Sequence, residues 1–215
     1  MAKIAVITGA GAGVGRATIT EFARQGCDVA LLSRDLSRLE AAARKAQTFG
    51  VRALPIPTDV ADAGAVEAAA ERVERELGPI DVWVNVAMAT VFAPVQKLTA
   101  EKFNRGTAVT YLGQVHSVMA ALKCMRPLDR GSIVNVGSAL AYRSVPLQSI
   151  YCAAKFAIRG FTDSLRSELY QDGVHVSITM VDLVAWRFCK THLDVAAASI
   201  MPLERILLAR VRSSG

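Results

Sequence analysis

Short, uninterrupted apolar runs alternate along this chain with longer stretches of helical period, and that alternation leaves few folds open. The runs are residues 3–8, 28–33, 52–56, 82–85, 132–136 and 174–181. The helical stretches are residues 14–25, 37–49 (closed by Gly50), 62–77 (closed by Gly78), 101–125 and 151–171. Strands that are apolar throughout, rather than at every second position, belong to a sheet covered on both faces. Repeated strand–helix units of this kind predict an α/β fold, with a doubly wound parallel sheet of about six strands and helices on both sides. Thr99 is the expected N-cap of the 101–125 stretch, which reads as one long helix.

Residues 1–182 read as a single domain, and 183–215 as an atypical C-terminal segment, a lid or tail of that domain. Within this segment Pro202 opens a short helical pattern over 203–211, and no run suggests a seventh strand. With 52% hydrophobic residues, the chain is too apolar for disorder, yet no run is long enough to span a bilayer. Four cysteines, Cys27, Cys124, Cys152 and Cys189, form no CxxC or Cys/His cluster, so the reading expects reduced thiols, no metal and a cytoplasmic location. The net charge of +6 is spread over helices that also carry acids, without a basic run, which argues against a nucleic-acid partner.

The first strand runs straight into Gly9-Ala-Gly-Ala-Gly13-Val-Gly15, and a helix follows at once. Glycines here allow a sharp turn and let backbone approach a pyrophosphate, while the helix N-terminus offers free N–H groups and a positive dipole end. That makes the domain a Rossmann-type dinucleotide binder by expectation, with Gly9, Gly13 and Gly15 in the phosphate turn. About 20 residues further on, an acid would bind the ribose 2′-hydroxyl of NAD. The chain has Ser33 and Arg34 there instead. A hydroxyl and a guanidinium suit a 2′-phosphate better than a carboxylate does, so NADP(H) is the expected cofactor, with NAD(H) as the alternative.

Tyr151 and Lys155 stand four residues apart and share a helix face. A tyrosine has a pKa near 10, and ionising it at neutral pH costs about 4 kcal/mol. An ammonium at ~4 Å under an effective dielectric of ~20 offsets a similar amount. The pair is therefore suited to proton exchange with a substrate oxygen, with Ser138 as a hydrogen-bonding partner for that oxygen.

Taken in order, the glycine turn, Asp59-Val60, Asn85-Val-Ala87, Ser138 and the Tyr151/Lys155 pair resemble the short-chain dehydrogenase/reductase family over about residues 3–181. The resemblance implies that Asp59 and Val60 meet the adenine and that the Asn85–Ala87 backbone lines the cofactor. It further implies Tyr151 as acid/base, Lys155 as its modulator and ribose ligand, and Ser138 as donor to the substrate oxygen. The chain departs from the family at Met88, where a glycine is usual, and at Thr110, where an asparagine completes the proton relay and a threonine hydroxyl would have to hold the water. Beyond residue 181 the family's Pro-Gly turn and following threonine find no match. The expected activity is NAD(P)-dependent oxidoreduction of a small carbonyl/alcohol pair, of hydrophobic character from the nearby Leu140, Tyr142, Val145 and Leu147. The alternative is a member that binds cofactor but is catalytically impaired. Resemblance also implies a homodimer built on residues 101–125 and 151–171, with Val109, Leu112, Val115 and Phe161 at its face.

Overall fold

The computed structural model describes residues 2–179. Six strands form one parallel sheet: β1 (Ile4–Thr8), β2 (Asp28–Ser33), β3 (Ala53–Pro57), β4 (Val82–Asn85), β5 (Gly131–Val136) and β6 (Val174–Thr179). Their spatial order is β3-β2-β1-β4-β5-β6. The doubly wound sheet expected from the apolar runs is what forms. Strand bounds agree with the sequence to within a residue or so, except that positions 180–181 lie outside the described residues, as does the 203–211 helix.

Helices α1 (Gly13–Arg24) and α2 (Leu36–Gln47) cover one face. Ile7, Leu31 and Val84 point to that side and pack with Ile19, Phe22 and Leu39. Helices α3 (Ala63–Glu76), α5 (Gly113–Met125) and α6 (Ser149–Glu168) cover the other, over Val6, Trp83 and Ile133. Both faces of β1 and β4 are fully buried, which is why these strands are continuously apolar. Side-chain caps set several helix starts. Asp35 accepts from Arg38 N and Asp62 from Ala65 N. Thr99 accepts from Lys102 N at the start of α4 (Ala100–Thr107), as the sequence suggested.

One element differs from expectation. The 101–125 stretch is not an unbroken α-helix: α4 passes into a π-helical segment, Ala108–Leu112, before α5 begins. The cause is close packing at both ends of that segment. A Cβ on Gly106 would stand 2.3 Å from Ile150 Cγ2, and one on Gly113 would stand 2.6 Å from Val60 Cγ2. The helix is pinched between the start of α6 and the loop after β3, and the wider turn absorbs the misfit.

Candidate active site

β1 and β4 are neighbours whose connections leave in opposite directions, so a crevice opens beyond their carboxyl ends. Thr8 ties the two strand ends together: its hydroxyl accepts from Val86 N at 3.0 Å and Ala87 N at 3.2 Å. Gly9 follows at φ +68°, and a Cβ there would stand 2.8 Å from Ala87 N. A Cβ on Gly15 would meet Gly9 O at 2.3 Å, so only glycine lets α1 start this close to the strand. The first turn of α1 carries no acid and no side-chain cap, leaving its N–H groups open to an anion.

The crevice widens into a cavity of about 270 Å³ that Gly9, Gly13, Ala87, Ser138, Tyr151 and Lys155 line together. Thus the phosphate turn and three of the four expected catalytic side chains, all but Thr110, meet in one space. Ser138 follows β5, where its hydroxyl accepts from Leu140 N at 3.2 Å and lies within hydrogen-bonding reach of Tyr151. Burial pushes the Tyr151 phenol above its ordinary range, the Ser138 hydrogen bond pulls it back, and Cys152 adds a smaller upward push.

Lys155 is 2% exposed, and its Nζ donates to Val136 O at 2.5 Å. Burial holds its amine down at about 7. Nζ stands 5.5 Å from the centre of the Tyr151 ring.

Thr110, in the π-helical segment, is fully buried. Its hydroxyl donates to Ala89 O at 2.8 Å and accepts from Ala89 N at 2.9 Å. The single hydroxyl proton is therefore committed to the β4 loop and is not available to a water. What Thr110 does here is fix the loop that carries Ala87 and Met88.

At the far end of the crevice, the Ser33 hydroxyl is buried without a hydrogen-bond partner among the described residues. It lies 3.1 Å from where a Cβ on Gly11 would be, beside the stem of Arg38. Arg34 acts on the Asp59 carboxylate. Asp59 Oδ2 accepts from Arg105 at 2.7 Å and Oδ1 from Ala61 N at 3.1 Å. Burial would raise the Asp59 carboxyl, but these partners outweigh it and hold it below its usual range.

Two of the expected cofactor residues are engaged within the fold as well, and the expected apolar substrate residues lie away from the cavity. Asn85 is wholly buried and its side chain is occupied, accepting from Trp83 Nε1 and donating to Asn135 Oδ1. Asn135 donates in turn to Thr162 of α6. This buried chain joins β4, β5 and the helix of Tyr151, so the Asn85 side chain positions the site rather than lining it. Val60 packs against Gly113, and its carbonyl pairs with His116 Nδ1. Of the apolar group named for substrate, none lines the cavity. Val145 and Leu147 face a separate outward groove, Leu140 is buried, and Tyr142 stacks beneath Arg159. The cavity's apolar wall comes instead from Met88, Phe92 and Val136. Thr8, Asn135 and Gln148 are the positioning and lining residues that sequence reasoning missed. Only the polar residues at strand ends, Thr8 and Asn135, gave any signal.

These features agree with what is found among known proteins. The profile of the short chain dehydrogenase family matches residues 3–191. The uncharacterized oxidoreductase YxnA of Bacillus subtilis is 32% identical over 83% of this chain and 51% of its own length. The chain spans 14% to 51% of the first curated relatives that it matches. Among solved structures, NAD+-bound xylitol dehydrogenase superposes with a TM-score of 0.81 at 29% identity, over 84% of this chain and 70% of that one. A metagenomic short-chain oxidoreductase in complex with NADP gives 0.79 at 29% identity, over 83% and 81%. With the crevice at the β1–β4 switch point, the tyrosine and lysine on α6 and the profile match all in agreement, the chain belongs to the short-chain dehydrogenase/reductase family of oxidoreductases.

Proposed function

We propose that this chain interconverts a small-molecule ketone or aldehyde and its alcohol, with NADP(H) as the preferred cofactor and Tyr151 as the acid/base. The observation that carries the reading is the shared cavity, in which the glycine turn, Ser138, Tyr151 and Lys155 face one another.

The residues present fit a dinucleotide. The glycine cradle has no room for a Cβ at Gly9 or Gly15, and the α1 N-terminus is open. Ser33 offers an orphaned hydroxyl with Arg34 next to it in sequence, which supports a 2′-phosphate over a bare ribose. Gly9, Gly13 and Gly15 would hold the diphosphate, Asp59 and Val60 the adenine, Ala87 and the Asn85 backbone the inner ribose, and Lys155 the nicotinamide ribose. When bound, the nicotinamide supplies two-electron chemistry at the substrate carbon.

Tyr151 then handles the proton. In reduction its O–H donates to the forming alkoxide; in oxidation the same oxygen takes the alcohol proton. Ser138 donates to the substrate oxygen and stays near Tyr151, so one oxygen position faces both hydroxyls. Lys155 would hold the nicotinamide ribose through Nζ, and in its charged form it would draw the Tyr151 phenol down. Met88 and Phe92 supply an apolar wall for the substrate body.

A second reading, cofactor binding without efficient turnover, is favoured by Met88 in the cavity wall and by the committed Thr110 hydroxyl. NADPH titration by fluorescence, followed by reduced-cofactor consumption over a carbonyl panel, tests both. Binding with turnover supports the first reading, binding alone the second, and neither outcome removes both. The exposed Leu112, Met119 and Phe156 support a homodimer through α5 and α6.

A further inference from the structure

Gln148 precedes α6, three residues before Tyr151, and lines the same cavity. It is 4% exposed. Its Oε1 accepts a long hydrogen bond, 3.4 Å, from Thr90 Oγ1, and Thr90 lines the cavity too. Nε2 has no hydrogen-bond partner among the described residues. That nitrogen is not sealed off from the cavity, so its two N–H groups are open to an acceptor on a ligand.

The backbone next to it carries a cost. Leu147 stands at φ +67°, a left-handed conformation that a leucine rarely adopts. Its carbonyl is held by Ala93 N at 3.1 Å. The loop thus binds the Phe92–Ala93 segment at Leu147 and turns immediately before Gln148, whose amide is then enclosed with Tyr151 and Ser138. Strain of this kind persists where the surrounding structure requires a particular side-chain placement.

The geometry points to Gln148 as a specificity-determining residue that recognises a second oxygen of the substrate, close to the reacting carbonyl: the substrate class is an α-hydroxy ketone or 1,2-dione with an apolar body. This inference rests on the oxidoreductase reading above. Thr90 orients the amide by engaging Oε1, which leaves Nε2 to donate. Ser138 and Tyr151 take the first oxygen, Gln148 Nε2 the second, and Met88 with Phe92 the apolar remainder. A site that hydrogen-bonds a substrate oxygen discriminates against an analogue lacking that oxygen.

The test uses three ketones that share a phenyl body: acetophenone, 2-hydroxyacetophenone and 1-phenyl-1,2-propanedione. The full chain is assayed with NADPH, and binding of each ketone to the chain with NADP+ is followed by ligand-observed NMR. Wild type should favour at least one oxygenated ketone over acetophenone by about tenfold in kcat/KM, the worth of a well-made hydrogen bond. In Gln148→Leu the ratio of oxygenated ketone to acetophenone should fall about tenfold, and in Thr90→Val it should fall by a smaller factor. Which oxygenated ketone leads tells hydroxyl from carbonyl. A ratio within twofold of unity in wild type, or one that Gln148→Leu leaves unchanged, overturns the assignment. Should Gln148→Leu fail to fold, the wild-type ratio and Thr90→Val still decide. Absence of turnover with all three, but Gln148-dependent binding of the oxygenated ketones, sinks the oxidoreductase reading and keeps the recognition site. If no ketone binds, the recognition site is wrong.

Discussion

Lys155 Nζ donates a hydrogen bond to the carbonyl of Val136 at 2.5 Å, which fixes this lysine to the end of β5. Burial holds that amine at about 7, against an ordinary value of 10.5. Between those values the unfolded chain carries the proton and the folded chain does not, so this residue makes stability rise with pH across the window. Lys155→Met removes that contribution while filling similar space. Urea unfolding between pH 7 and 8.5 should show wild type gaining on the variant by about 1 kcal/mol per pH unit. Parallel curves for the two proteins would mean the lysine is charged in the fold.

Cofactor choice is expected to turn on the end of β2. Arg34→Ala should weaken NADPH by about tenfold, the loss of one charge-assisted contact, and leave NADH nearly unchanged. Ser33→Asp puts a carboxylate where the orphaned hydroxyl now lies and should reverse the preference. Fluorescence titration of both cofactors with each variant is the check. Equal losses for NADPH and NADH in Arg34→Ala would show that Arg34 does not read the 2′-phosphate.

The contact of Gly15 with Gly9 is tight enough that even a methyl is excluded. Gly15→Ala places Cβ 2.3 Å from Gly9 O, and the obstacle is backbone, which does not swing aside. The variant should lose about 2 kcal/mol or more of stability and most of its dinucleotide affinity, since the phosphate turn must shift. Gly26→Ala is the comparison. It has open space but a φ of +80°, so it should cost only about 1 kcal/mol and spare binding.

Assembly is tested by light scattering at micromolar concentration. Val109 is buried within the chain, and Phe161 packs edge-on to Tyr111 at 6.4 Å, so of the expected face Leu112 and the half-buried Val115 remain, joined by the exposed Met119 and Phe156. A dimer mass in wild type and a monomer mass in Met119→Glu are expected. A monomer in wild type would remove the interface.

Most of the fold was legible because central strands buried on both faces, such as β1 and β4, are apolar nearly throughout, and helical stretches separate the runs at regular intervals. The glycine turn was legible because Gly9 and Gly15 mark contacts that no other residue survives. The π-helical segment was not. The close packing around it, of Ile150 and Val60 on Gly106 and Gly113, involves residues far away in sequence. The state of Lys155 was also hidden, since a YxxxK spacing says nothing about how deeply the fold encloses the amine. The role of the Asn85 side chain was hidden too: it completes a hydrogen-bonded chain through Asn135 to Thr162 that only the assembled sheet creates.

The central claim is that Tyr151 carries the proton in a carbonyl/alcohol interconversion. Its most direct test is kcat for NADPH-dependent reduction by Tyr151→Phe, measured beside the NADPH dissociation constant of the same variant. Removing a positioned acid/base should lower kcat by about 10²–10⁴-fold, while the retained ring keeps cofactor affinity within about twofold of wild type. A Tyr151→Phe protein that turns over at the wild-type rate would contradict the account.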